Sequence, residues 1–354
     1  MRWISALTWV ILSALFLTSC QSKDNTPIRF GRFYLDKLVE QRVSERNFLE
    51  ISYEKSFSIP ITNDLFLHNP QEVVVDDQGY IYILDSGIQK ILRFSPSGEY
   101  LVTYGEEGGG EGPGELQGVV DFFVAGDSMI YILDTYGFKI SIFGIDGIFL
   151  KDVRINSQPF RYTRTTTGRE YILYATTNQS SLLESRFEGT AHEMIPFSSL
   201  VDAGTMDGLG TSGNLNTYGE NLIYVLSRYP LLFQYDPSGS LVYARTTIEY
   251  NDDFEEPEIE ERILGGMPAK RQVGRYFHAD RLIVEDDKLF IFSRRPRGAP
   301  DTSKYGAIDV YDIATGDYQY SMPIPEDGPF VTTYQSGKIY QLKDTTVVVW
   351  NIKK

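Results

Sequence analysis

Two histidines, three loop arginines and a scatter of carboxylates are the residues of this chain whose types and spacing suit chemistry. The register that superposes Asp76-Asp77 on Asp286-Asp287 also superposes His68 on His278. Two imidazoles so related can approach one ligand or one zinc ion, although zinc needs further ligands that the sequence does not identify. Read singly, both are ordinary turn histidines, and His192 does not join them. Arg294, Arg295 and Arg297 present guanidinium forks suited to carboxylates, or simply neutralise the acidic run Glu249–Glu261. The loop Gly105–Glu115 is Gly-rich but is no phosphate cradle. It lacks a Gly-Lys-Ser/Thr ending, precedes no helix, and carries four carboxylates. Glu106, Glu107, Glu111 and Glu115 leave calcium open, without a spacing that matches an EF-hand. No Gly-x-Ser-x-Gly elbow and no His-Glu-x-x-His are present, so no acyl-transfer or zincin constellation is assigned. A glycosidase stays open, because carboxylate separation is not readable from sequence.

These residues need a scaffold, and the stretch from His68 to Leu116 shows what it is. Four short β-type runs are separated by Asp77-Gln78-Gly79, Asp85-Ser86-Gly87 and Pro96-Ser97-Gly98. Gly accepts positive φ, Pro presets φ, and Asp and Ser bond nearby backbone, so these are turns. The result is a four-stranded meander that cannot bury both faces alone. Ile81-Tyr82-Ile83-Leu84-Asp85 recurs as Ile130-Tyr131-Ile132-Leu133-Asp134 and as Ile223-Tyr224-Val225-Leu226-Ser227. Looser copies are Glu170-Tyr171-Ile172-Leu173, Ile291-Phe292 and Ile339-Tyr340. Six such units predict an all-β, six-bladed β-propeller of four-stranded antiparallel blades.

The expected blades are about 68–105, 116–156, 160–197, 214–249, 276–325 and 328–354. The last unit lacks an outer strand. The β-rich stretch 48–61 is expected to supply it, closing the ring and removing an unpaired edge. Meander geometry puts the outer-to-inner connections and the second-to-third-strand turns on one face. That face gathers His68, Asn69, Asp85, Asp134, His278, Arg294, Arg295 and Arg297, which form the expected ligand face, since loops on a rigid scaffold carry function.

Residues 1–20 read as a processing segment. Arg2 precedes an apolar run from Ile4 to Leu17, ending in Leu17-Thr18-Ser19-Cys20, which resembles a bacterial lipobox. Cys20, the single cysteine, is the expected lipidation site, so the mature chain has no thiol for a disulfide or a Cys–metal site. Gln21 in place of Asp favours the outer membrane, facing periplasm or surface. Residues 21–47 read as a tether, with a helical turn or two over Asp36–Val43. The long 249–276 connection reads as a lid or contact surface. The formal net charge of −15 argues against nucleic acid and against adhesion to anionic lipid other than through the anchor. Most of the 24 Tyr and 21 Phe are expected to fill the spaces between blades.

The run Val75-Asp76-Asp77-Gln78-Gly79-Tyr80-Ile81-Tyr82-Ile83-Leu84-Asp85, with Ile91-Leu92-Arg93-Phe94 and Gly110–Glu115, resembles the bacterial six-bladed β-propeller lipoproteins. These are relatives of NHL-repeat and TolB-like propellers. The match is good over roughly residues 65–150. The resemblance implies an envelope-anchored propeller and supplies no catalytic residues. The expected function is a monomeric, non-enzymatic module binding a periplasmic or extracellular peptide, glycan or protein, without a required cofactor. The alternatives are a metal-dependent hydrolase or lyase, as in the related calcium lactonases and amidating lyases, and an envelope assembly scaffold.

Overall fold

A computed structural model describes residues 28–30, 33–35, 38–59, 67–106, 108–126, 128–174, 183–188, 190–195, 211–250, 258–264, 267–273, 279–294, 306–325, 331–343 and 345–353. Cys20, His278, Arg295 and Arg297 lie outside them.

The chain is a six-bladed propeller. Blade one is the meander Pro70–Val75, Ile81–Asp85, Lys90–Phe94 and Tyr100–Tyr104. Blades two to five repeat that order, beginning at inner strands Val119–Ala125, Pro159–Arg164, Gly213–Tyr218 and Arg281–Glu285. Blade six has three strands from the C-terminal end of the chain, the innermost Val331–Gln335. Its outer strand is Ser52–Ser58, antiparallel to Thr346–Lys353, as the sequence pattern requires.

The tandem Ile-Tyr-Ile-Leu pattern forms the second strand of each blade. A neighbouring blade packs on each face of that strand, so its run is apolar rather than alternating. Tyr82, Tyr131, Tyr171, Tyr224, Phe292 and Tyr340 are all buried. The apolar residues divide into six clusters, one at each junction between neighbouring blades. The junction of blades one and two holds Tyr82, Tyr104, Phe122 and Phe143. Tyr104 and Phe143 meet edge to face at 6.2 Å, and the Tyr104 hydroxyl donates to the Ile145 carbonyl at 2.9 Å, so the Tyr104 ring is buried with its polar end satisfied.

Two sequence expectations change. Residues 38–47 are no free tether and hold no helical turn. Leu38–Val39 adds a parallel strand to the outer edge of blade four, pairing with Ala244 and Arg245. Gln41 bonds Thr246 and Gly316. Asn47 and Leu49 then exchange backbone bonds with Ser321 on the outer edge of blade five. Between them Arg46 enters the fold, where Nε and Nη2 donate to the two oxygens of Asp309, both at 2.8 Å. Its Nη2 also donates to Glu249 at 2.5 Å. Burial disfavours the guanidinium charge, but Asp309 and Glu249 outweigh that and hold it well above its ordinary range. The segment 38–58 therefore straps blades four, five and six together. Glu249 accordingly is not part of a solvated acidic run: it is buried and neutralised. The rest of that connection contains a hairpin, Glu258–Leu264 with Met267–Val273.

Candidate functional site

The six inner strands run in one direction around a central channel, so their first residues share one mouth. The channel contains a cavity of about 530 Å3, lined by all six inner strands. That volume falls within the roughly 300–1,000 Å3 of small-molecule sites. Glu72, Asp121, Arg161, Asn214, Arg281 and Thr333 form a ring within it, one from each blade.

The first three are placed by the same device. Glu72, Asp121 and Arg161 lie across from Leu84, Leu133 and Leu173, the equivalent leucines of the repeat. In each blade the strand register shifts just before the charged residue, so Gln71, Val120 and Phe160 are extra residues. A β-bulge bends its strand and re-aims the next side chain. Three consecutive blades thus direct a charge into the channel at one level.

The ring is nearly sealed. Glu72 and Asp121 are each 7% exposed. Glu72 forms an ion pair with Arg281 from blade five. Burial pushes the Arg281 guanidinium down to about 10, still charged at neutral pH. Asp121 accepts the Tyr162 amide at 2.8 Å. Burial raises the Asp121 carboxyl to about 6, and Arg161 and the backbone amides of Tyr162 and Phe122 limit the rise. Arg161 Nη1 donates to the carbonyls of Phe160 at 2.9 Å and Val120 at 3.5 Å, and its guanidinium stacks 4.2 Å from the Phe160 ring. Beside the ring, Asp280 pairs with Arg294, and burial raises its carboxyl against the pull of Arg294 and Arg161.

The residues expected at the ligand face divide differently. Asp85 and Asp134 are fully buried and serve the backbone. Asp85 accepts the amides of His68 at 2.6 Å and of Asn69 and Gly87 at 2.9 Å. Asp134 accepts those of Gln117 at 3.0 Å, Gly118 at 2.9 Å and Gly137 at 2.8 Å. Each carboxylate clamps the loop entering its blade to the turn after its second strand, with three of its about four acceptor sites taken by backbone amides. Asn69 is exposed and engaged locally, bonding Ser86 and Gln71 at 2.9 Å. His68 is exposed, four residues upstream of Glu72. Arg294 stands at the rim through Asp280.

The Gly-rich loop also closes on itself. Glu115 accepts the amides of Gly110 at 3.0 Å and Gly112 at 3.1 Å. Those bonds, Gly112 foremost, hold the Glu115 carboxyl below its usual range. Glu115 therefore serves its own loop. Among the described residues no group of three or more His, Cys, Asp or Glu is placed to hold a metal.

Sequence reasoning about loops missed Glu72, Asp121, Arg161 and Arg281. The available signal was a charge inside each inner-strand pattern, at a fixed distance from the repeated motif: Glu72 before Val73-Val74-Val75, Asp121 before Phe122-Phe123, Arg161 before Tyr162.

Comparisons with known proteins agree with this architecture. The chain shares its fold with a presumed exported protein of Bacteroides fragilis, BF0058, at 14% identity and TM-score 0.57, covering 89% of this chain and 98% of that one. A DUF4221-family protein of Bacteroides vulgatus aligns at 12% identity and TM-score 0.57 over 88% of this chain and 100% of that one. Virginiamycin B lyase of Staphylococcus aureus aligns at 11% identity and TM-score 0.51 over 85% and 99%. At these identities the likeness is one of fold alone. No curated protein sequence matches significantly. The sequence model of DUF5128, described as a 6-bladed beta-propeller, matches residues 50–245, more than half of the chain. With six blades closed by a strand from before the first, this chain belongs to the DUF5128 family of six-bladed β-propellers.

Proposed function

We propose that this protein is an envelope-exported recognition module that binds a small polar ligand in the mouth of its central channel. The observation that carries the reading is the ring of Glu72, Asp121, Arg161 and Arg281. Four charged side chains from four blades converge on one cavity, three of them directed by bulges. A structural channel filling would be apolar, because buried charges cost several kcal/mol each unless well paired. Export and anchoring rest on the apolar segment Ile4–Leu17 and on Cys20. Labelling with a radioactive fatty acid tests them: Cys20→Ala must abolish incorporation. The ligand reading is tested by thermal-shift screening of the purified protein against amino acids, peptides, sugars and organic acids. A hit must be weakened in Arg161→Met or Arg281→Met, and hits that persist in both would remove the channel as the site.

One observation favours a second reading. A carboxyl that titrates near pH 6, as Asp121 does, suits a general acid or base. In that case turnover of the identified ligand would show an inflection near pH 6 that Asp121→Asn removes.

A further inference from the structure

The charged groups of the channel mouth are not equally engaged. Glu72 and Arg281 are joined to each other, and Asp280 to Arg294. Asp121 and Arg161 are not. Among the described residues neither forms an ion pair. Arg161 is held by backbone carbonyls and by the Phe160 ring, and Asp121 by backbone amides. They occupy the same register on adjacent inner strands, and both line the cavity. The mouth thus presents one anion and one cation side by side, close enough for Arg161 to pull on the Asp121 carboxyl but joined by no ion pair among the described residues, next to a pair that is already neutralised.

Two residues further along a strand the side chains point the same way. At that level the cavity wall carries Val74, Phe123 and Ile283. An apolar belt therefore lies under the charged ring on three of the six blades.

Resting on the channel reading above, we propose that the ligand is a small zwitterion of the α-amino-acid type with an apolar side chain. Its carboxylate meets the Arg161 guanidinium in a charge-assisted contact. Its ammonium group meets Asp121, and its side chain enters the belt of Val74, Phe123 and Ile283. A simple anion would leave Asp121 facing a like charge, and a simple cation would do the same to Arg161. Only a ligand with both signs neutralises both.

Isothermal titration of the purified protein with leucine, N-acetylleucine, leucinamide and glucose tests this. Leucine is expected to bind at least tenfold more tightly than either blocked analogue. Arg161→Met is expected to erase the preference over leucinamide, and Asp121→Asn the preference over N-acetylleucine, with circular dichroism melts verifying that both variants fold. Leucinamide or N-acetylleucine binding as well as leucine would overturn the zwitterion, as would a failure of all twenty α-amino acids to bind. Glucose binding that is lost in Arg281→Met would overturn the zwitterion while leaving the channel as the site. Leucine binding that is unchanged in both Arg161→Met and Asp121→Asn would overturn the channel reading itself.

Discussion

Replacing Asp121 by Asn should stabilise the protein at neutral pH and leave it unchanged in acid. The folded carboxyl titrates near about 6 instead of 3.8, because it is buried and only partly compensated by Arg161 and two backbone amides. An acid whose folded pKa is raised holds its proton more tightly in the folded state. Between about pH 4 and 6 the folded chain therefore binds more protons than the unfolded one, and stability falls as pH rises through that window. Each pKa unit is worth about 1.4 kcal/mol, so ionised Asp121 costs the fold about 3 kcal/mol above pH 6. Asn keeps the shape and still accepts the Tyr162 amide but does not ionise. Denaturant titrations of wild type and Asp121→Asn should coincide near pH 4 and diverge to about 3 kcal/mol in favour of the variant by pH 8. A difference that is flat from pH 4 to 8, or that favours wild type at pH 8, would refute the burial argument. A carboxylate retained at such a cost fits a site selected for binding rather than for stability.

Three further outcomes follow from the geometry. Arg46→Met leaves Asp309 and Glu249 buried without their cation and should cost about 3–5 kcal/mol in urea unfolding; a chain starting at residue 48 should lose as much, and one starting at residue 38 should not. Asp85→Ala removes the acceptor of three backbone amides at the entry to blade one and should cost about 3 kcal/mol, lowering the melting temperature by several degrees, at roughly 2–4 °C per kcal/mol. Gly147→Ala places a Cβ 2.5 Å from Val102 Cγ2 on a residue with φ near +90°, and calorimetry should show a loss of roughly 1–3 kcal/mol.

The blade count was legible because it depends on short-range chemistry, and the closing strand because the last unit lacked an outer strand that only the β-rich stretch 48–61 could supply. Turn residues mark strand ends, and Ile-Tyr-Ile-Leu marks the strand covered on both faces. The strap at 38–47 was not legible. Leu38-Val39 is too short to show a period, and the role of Arg46 depends on Asp309 and Glu249, far away in sequence. The clamping roles of Asp85 and Asp134 were not legible, for a physical reason. A carboxylate at a strand end, beside Gly, suits a ligand and a backbone clamp equally well. Only burial and the three amides around each one decide between them.

Those clamps point to a rule for reading a pseudo-symmetric fold. What a single blade needs for its own folding tends to recur at the same register in other blades. Asp85 and Asp134 recur, each clamping its own entry loop, and the buried aromatics recur in all six second strands. A residue that serves the centre is under the opposite pressure, since a ligand on the axis meets each blade with a different part of itself. The cavity is lined by Glu72, Asp121, Arg161, Asn214, Arg281 and Thr333 in blade order: two anions, two cations, an amide and a hydroxyl. The backbone device that aims the first three is repeated, while the chemistry at its end is not. A channel plug would have kept the same apolar residue at each of these places, as the junction clusters keep theirs. The break in the repeat, around one cavity, is therefore the strongest support for the ligand site proposed at the channel mouth.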